Sequence, residues 1–444
     1  MTEYSQKVII IIDNLFKENH PLPIMDKNSL EEIAVEQRLY FDHLKEGLID
    51  RDILYEIKDR ISSPFIILIS GIRRCGKSTL LRLIRERYYK EKTIHYFSFE
   101  DERLFDFNVK DFNYLLETLL KINGNSNIFF FDEIQYIEGW EMFVRRLHDS
   151  GSKIFITGSN LTMISRELGT RLTGRYVRME LYPFSFKEYL RYKEIHSDPI
   201  EVTERRARIR AAFDEYIEVG GFPEYIQTGD KRFLRDLFDS IIYRDIISRR
   251  NIGDERPLKE FIRYIFSNYS NDLNLSRLKR DLGLGSVNTL KSYFQFLMDS
   301  YLVFQTSRYD PSIRKQMHTM KRAYVIDQGL IDTVSFRSSK DIGRSLENIV
   351  LVELKRRGKD VYYFRNGYEC DFLIRDGFNV TSAIQVSTHL KENEEREVKG
   401  LMKAVGSNKL KHGLILTLNQ EEVREIDGIR IDILPIWKWL LIES

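Results

Sequence analysis

Cysteine is almost missing from this chain: Cys75 and Cys370 are the only two in 444 residues. That excludes a disulfide framework and fits a reducing compartment, although one isolated bridge is still allowed. Long apolar runs are missing as well. No stretch approaches the ~20 apolar residues that a membrane span requires, and the run Val8 to Ile12 stops at Asp13 without a basic leader or a cleavage site. We therefore expect a soluble, cytoplasmic chain with no membrane partner. Charge of one sign is also scarce. The formal net charge is +2, so any attraction to nucleic acid or acidic lipid has to come from a local patch. There is no internal repeat and no low-complexity tract. What is present is material for packed cores, with 42% hydrophobic and 31% charged residues, unlike a disordered polyelectrolyte. The length favours two to four domains.

Residues 1 to 60 read as helical and charged, broken by Pro21 and Pro23, and carry no evident chemistry. From Phe65 the texture changes to short apolar runs separated by helical patterns: FIILIS, TIHYFSFE, NIFFFDEI, KIFITGS and YVRMEL. Strands alternating with helices predict a mostly parallel sheet covered on both faces. After Pro183 a charged helical stretch, interrupted by Gly220-Gly221-Phe222-Pro223, reads as a helical lid. Residues 257 to 322 give helices followed by a β-hairpin, and 340 to 444 a last α/β segment.

The stretch Gly71-Ile-Arg-Arg-Cys-Gly76-Lys77-Ser78 fits G-x-x-x-x-G-K-[ST]. It follows an apolar strand and opens the helical pattern TLLRLIRERY, which is the context the P-loop motif needs. Its backbone N–H groups and the helix N-terminus suit phosphates, Lys77 neutralises the β and γ oxygens, and Ser78 ligates magnesium. We place Gly71, Arg74, Gly76, Lys77, Ser78 and Thr79 at the nucleotide, expected to be ATP with Mg2+. NIFFFDEIQ is a buried strand ending in Asp132 and Glu133, one carboxylate for the magnesium shell and one to polarise the attacking water. A strand intervenes in sequence between the P-loop strand and this pair, as in P-loop ATPases with an added catalytic glutamate, so Glu133 is read as the base. Ser159 and Asn160 end the next strand, where they either sense the γ-phosphate or form an ordinary turn or helix cap. Arg166, Arg171 and Arg175 precede the fifth strand. Arg171 or Arg175 is the candidate finger, in cis or from a neighbouring subunit, with surface arginine as the alternative.

With GIRRCGKST, YFSFEDER, FFFDEIQ, FITGSN and the LTGR before LYPFSFKEYL, the sequence resembles the prokaryotic AAA-type ATPases of the AAA-14 group. The resemblance runs on through GGFPE and IYRDIISR, a winged-helix-like segment and a C-terminal nuclease-like domain of unknown function. It implies an ATPase core and names no substrate. NLSRLKRDLGL and SVNTLKSYFQFLMDSYL have helix-turn-helix proportions, and Ser286, Asn288, Thr289, Lys291 and Ser292 suit a major groove. From Pro257 to Arg322 there are 11 Lys+Arg against 5 Asp+Glu. DNA contact through residues 272–322 is one expectation and protein docking the other.

The last segment resembles the PD-(D/E)XK nuclease fold, with Glu347 on a helix that also bears Glu353, and Asp371 on a strand. Gln385 and Ser387 stand where that family has its acid and lysine, and Ser387 supplies no cation, which puts activity in doubt; Lys391 is a substitute within reach. The expected architecture is α/β: a helical segment at 1–60, a P-loop core at 61–183, a lid at 184–255, a winged-helix-like unit at 256–335 and a nuclease-like domain at 336–444. Readings as an ATP-driven switch or motor, an ATP-controlled nuclease or a non-hydrolysing adaptor stand side by side, with homo-oligomers allowed.

Overall fold

The structure, a computed structural model, describes residues 27–43, 48–160, 172, 174–198, 202–335 and 341–442. The apolar runs become β1 (Ile66–Ser70), β2 (His95–Ser98), β3 (Ile128–Asp132), β4 (Lys153–Gly158) and β5 (Tyr176–Glu180). They pair in the order β2-β3-β4-β1-β5 with every neighbour parallel. Parallel strands need crossovers, and helices α3 (Lys77–Tyr88), α4 (Phe112–Asn123) and α5 (Trp140–Asp149) supply them.

Period-2 alternation with a core on each face explains why the central strands β1, β3 and β4 are apolar on both faces. Ile66 and Leu68 join the core that holds Phe97, Phe129, Phe131 and Trp140. Ile67 and Ile69 face the other core with Leu80, Ile84, Phe130 and Phe155. N-terminal helices α1 (Lys27–His43) and α2 (Ile53–Ile61) pack against the sheet through Leu30 and Ile33 on one face, and Leu54 and Ile57 on the other.

The stretch after Pro183 is helical as expected, but it divides its work. Helices α6 (Phe186–Tyr192) and α7 (Thr203–Val219) put Phe186, Tyr189 and Phe213 into one core with Leu346, Val350 and Phe372 of the C-terminal unit. Helix α8 (Pro223–Thr228) instead borders the cavity above the P-loop. Helix α9 (Lys231–Ser240) runs on as a π-helical segment, Ile241–Ser248.

Next come α10 (Arg256–Ser267), β6 (Asp272–Leu273), α11 (Leu275–Asp281), α12 (Val287–Asp299), β7 (Val303–Ser307), α13 (Ile313–His318) and β8 (Lys321–Val325). The three strands form a small sheet, β6-β8-β7, that includes the expected hairpin. Ser286 is the N-cap of α12, accepting from the Asn288 N–H at 3.0 Å, so its hydroxyl is engaged in capping. After α14 (Gln328–Val334) and α15 (Ile342–Arg356), strands β9 (Asp360–Asn366), β10 (Tyr368–Asp376) and β11 (Asn379–Ser387) lead into α16 (Leu390–Ser407). Strands β12 (His412–Thr417), β13 (Glu422–Ile426) and β14 (Ile429–Pro435), then α17 (Ile436–Trp439), complete a mixed six-stranded sheet ordered β13-β14-β12-β11-β10-β9. Among the described residues no helix is long and apolar enough to cross a membrane.

Candidate active site

Strand β1 delivers the chain into the loop at Gly71, where any side chain is excluded: a Cβ there would lie 2.1 Å from the Leu181 carbonyl oxygen. Gly76 turns the loop into α3 with a φ of 100°, a left-handed conformation that glycine adopts without strain. Arg74 takes the same region without being glycine, with a φ of 64°, and its exposed side chain pairs with Glu224 at 2.9 Å. Arg51 fixes the loop from behind. Buried, it donates to the Cys75 carbonyl at 2.9 Å and the Tyr182 carbonyl at 2.6 Å, while its Nε lies 3.0 Å from Glu188.

Lys77 sits inside the cradle it shapes, with Nζ 3.2 Å from the Gly71 and Ile72 carbonyl oxygens and 3.0 Å from Glu133. Glu133 has a φ of 51°. A Thr157 hydroxyl explains how a strand end can hold two adjacent carboxylates: it donates to Asp132 and accepts from the Glu133 N–H at 2.8 Å. Tyr96 donates to the other Asp132 oxygen at 3.2 Å, and Gln135 donates to Glu133. Burial and the adjacent Glu133 raise the Asp132 carboxyl above its usual range, against hydrogen bonds from Ser78 and Thr157. Burial also works to raise Glu133, but the charge and hydrogen bond of Lys77, with Arg73 and Gln135, bring it down to about 2. The same pairing outweighs burial to raise Lys77.

Lys77, Ser78, Thr79, Asp132 and Glu133 line one cavity of about 1160 Å³ together with Arg74 and Gly76. Asn160 is buried just past the end of β4, and Ser159 accepts from Gln135 at 3.4 Å. Arg171 and Arg166 lie outside the described residues. Arg175 needs a correction as a finger acting in cis. It precedes β5, its carbonyl accepts from Ile66 at the start of β1, and its side chain pairs with Asp149 at 3.2 Å. Parallel strands of five residues at ~3.3 Å each separate that edge from the P-loop by about 16 Å.

Several site residues escaped sequence reasoning. The N-terminal segment, read as free of chemistry, contributes Gln37 and Tyr40 to the cavity wall and Arg51 to the loop. Arg73, an unassigned x of the motif, holds Asp245 of the π-helical segment through two 3.2 Å bonds, Tyr136 at 2.7 Å, and Glu100. Thr157 had a signal, since it points to the same strand end as Ser159 two residues on.

A second carboxylate cluster lies in the C-terminal unit, in a polar cavity of about 770 Å³. The structure brings Glu347, Asp371, Gln385 and Ser387 together there, and adds Glu397 of α16. Gln385 donates to Asp371 at 2.8 Å and also to Glu397, and Asp371 accepts from the Val386 N–H at 2.9 Å. Arg322, from β8, lies 3.8 Å from Glu347 and 3.2 Å from Asp272, and pairs with Glu369. Burial raises both Glu347 and Asp371, with Arg322 opposing it at each. Glu353 faces elsewhere, bound to Arg356 at 3.0 Å and Arg357 at 2.8 Å. The Lys391 side chain lies outside the described ones.

A family model described as an AAA domain matches residues 63–190, and two described as domains of unknown function match 210–341 and 342–439. An uncharacterized protein of Methanocaldococcus jannaschii is 37% identical over 417 residues, spanning 89% of this chain and 92% of the relative. An uncharacterized protein of Haemophilus influenzae is 31% identical over 402 residues, spanning 87% and 96%. Among solved structures, the Aeropyrum pernix ORC1 protein in complex with DNA matches at 12% identity and a TM-score of 0.29, over 71% of this chain and 93% of that one. The S. cerevisiae Hsp104:casein complex matches at 14% identity and a TM-score of 0.31, over 65% and 61%. The chain belongs to the family of these archaeal and bacterial relatives, and its residues 63–190 form a P-loop domain of the AAA type.

Proposed function

We propose that the chain is an ATP-hydrolysing switch. The observation that carries the reading is the Thr157 hydroxyl bridging Asp132 and the Glu133 backbone beside Lys77, which gives the two adjacent carboxylates different partners. Asp132, buried and raised, is suited to a cation beside it, and Ser78 is its hydrogen-bond neighbour. Ser78 and Asp132 would hold magnesium, which would supply neutralisation of phosphate charge. Lys77 leaves Glu133 for the incoming phosphate oxygens. Burial then dominates at Glu133 and raises its proton affinity, which turns a weak base into one able to orient and deprotonate water. The test is steady-state phosphate release: Lys77→Ala loses nucleotide binding, whereas Glu133→Gln keeps binding and stops turnover. Unchanged turnover in Glu133→Gln overturns the assignment.

Arg73 joins the phosphate loop to the π-helical segment through an ion pair with Asp245, and α10 follows that segment, so loop movements have a route toward residues 256–335. Short π-helical insertions are frequent at functional sites. On this reading the switch acts on DNA through residues 272–322, in the cytoplasm, and a second copy is required only where an arginine acts in trans. The nuclease reading gains from the meeting of Glu347 and Asp371. It loses more, because Gln385 is occupied by Asp371 and Glu397, and Ser387 offers no cation. Incubation with Mn2+ and linear DNA, with Asp371→Ala as control, tests it. The adaptor reading predicts tight ATP binding without phosphate release.

A further inference from the structure

Between β7 and β8 the chain leaves the small sheet as an arm built around α13. Lys321 ties it internally, donating to Ser307 at 2.9 Å and to the Gln316 carbonyl at 3.0 Å. Strand β9 of the C-terminal unit ties it externally. Tyr309 N–H donates to the Tyr363 carbonyl at 2.8 Å, and the Tyr363 hydroxyl donates to the Met320 carbonyl at 2.9 Å. The arm and β9 thus enclose a cleft of about 710 Å³ that neither unit forms alone.

The chemistry of this cleft is one-sided. Arg308, Arg314, Lys315, His318 and Arg365 line it, and none of its lining residues carries a carboxylate. Arg314 and Lys315 are exposed and have no ion-pair partner among the described residues. Beside them Ile313 and Met317 are 71% and 72% exposed, large apolar groups that water does not favour. Arg365 also lines the carboxylate cavity around Asp371, so the two spaces share a wall.

A single phosphate is satisfied by two or three donors, whereas a row of cations along an open cleft matches a polymer with a charge every few ångströms. Exposed aliphatic groups flanking the cations fit base edges or an opened base step better than they fit a free anion. Resting on the reading that the partner is DNA, we propose that this composite cleft is the phosphate-contacting surface. Arg314 and Lys315 take the backbone, while Arg365, held by Asp272 and Glu369 at 2.6 Å, and Arg308, 4.0 Å from Asp310, form the basic wall behind them. Ile313 and Met317 press on the bases. The surface is therefore the arm and β9, not the polar start of α12.

The experiment is a fluorescence-anisotropy titration of the full chain with labelled duplex and single-stranded DNA, between about 50 and 200 mM salt. Each lost phosphate contact lowers the slope of log affinity against log salt by about 0.9 on duplex. The double variant Arg314→Ala/Lys315→Ala is expected to lose about 1.8 in slope and at least tenfold in affinity at low salt. Ile313→Ala/Met317→Ala weakens binding with the slope unchanged. ATP binding stays at the wild-type level in both variants, which shows that they fold. If wild type binds DNA and the double variant keeps its slope and affinity, the cleft proposal is overturned and α12 inherits the DNA reading. If wild type binds ATP but no DNA, both fail. Competition by polyglutamate as strong as by unlabelled DNA assigns the cleft to acidic polypeptide and also overturns the proposal.

Discussion

The P-loop cavity and the C-terminal cavity are built alike and tuned oppositely. Each gathers carboxylates around a cation, at the end of β3 around Lys77 in the first, and from α15, β6 and β10 around Arg322 in the second. In the first, the cation sits on the substrate's own binding loop and shares Glu133 with a neutral Gln135. An arriving phosphate can take Lys77 without leaving Glu133 alone. In the second, Arg322 is held by three carboxylates, and the Gln385 amide is shared between two more. Removing Arg322 takes the ion pair from the largely buried Glu347, whereas Asp272 and Glu369 keep Arg365 at 2.6 Å. Buried carboxylates support chemistry when their counter-ion is replaceable, and serve cohesion when it is not.

Substitutions that remove each cation sharpen the contrast. Lys77→Ala should abolish ATP affinity by about 5 kcal/mol, read by calorimetric titration, while the protein still melts cooperatively. Arg322→Leu should do the reverse, costing about 3 kcal/mol or more of stability because it leaves the largely buried Glu347 without its ion pair, with ATP affinity unchanged. Equal loss of stability in both variants would break the comparison. Thr157→Val should cost about 1–3 kcal/mol, since it strands an Asp132 oxygen and the Glu133 N–H, and it should lower turnover along with stability. Denaturant melts and phosphate release check the two parts.

The smallest effect is in acid. Glu133 has a folded pKa of about 2 against an ordinary value of 4.5, so its stabilisation is complete above pH 4.5 and is lost as pH falls toward 2. Glu347 and Asp371 are shifted upward, so they protonate in the folded chain above the ordinary carboxylate range, and their contribution is essentially complete before pH falls into that window. The stability difference between wild type and Glu133→Gln should therefore shrink from pH 4.5 to 2, measured by melts across that range.

The sheet was legible because β1 to β5 are apolar runs with helical patterns between them, and the phosphate loop because strand, glycines, lysine and helix stand in fixed sequence. Glu347, Asp371, Gln385 and Ser387 were also brought to one place from three elements. What escaped depends on long-range packing. Arg51 reaches the P-loop from an unremarkable helical segment, Arg73 finds Asp245 far along the chain, and Thr157 acts through its hydroxyl across the sheet on the end of β3. Residues 184–255 looked uniform because helical periodicity shows an apolar face but not what covers it. Only packing reveals that α6 and α7 belong to the C-terminal core and α8 to the nucleotide cavity. That Arg175 precedes β5 was readable, but not that the edge it occupies lies a strand's length from the phosphate loop.

The most direct test of the central claim is single-turnover ATP hydrolysis by Glu133→Gln beside wild type, with nucleotide affinity measured on the same samples. The account predicts wild-type affinity and a hydrolysis rate lower by about 10²–10⁴-fold, the usual contribution of a positioned base. Hydrolysis at the wild-type rate with affinity intact would contradict it.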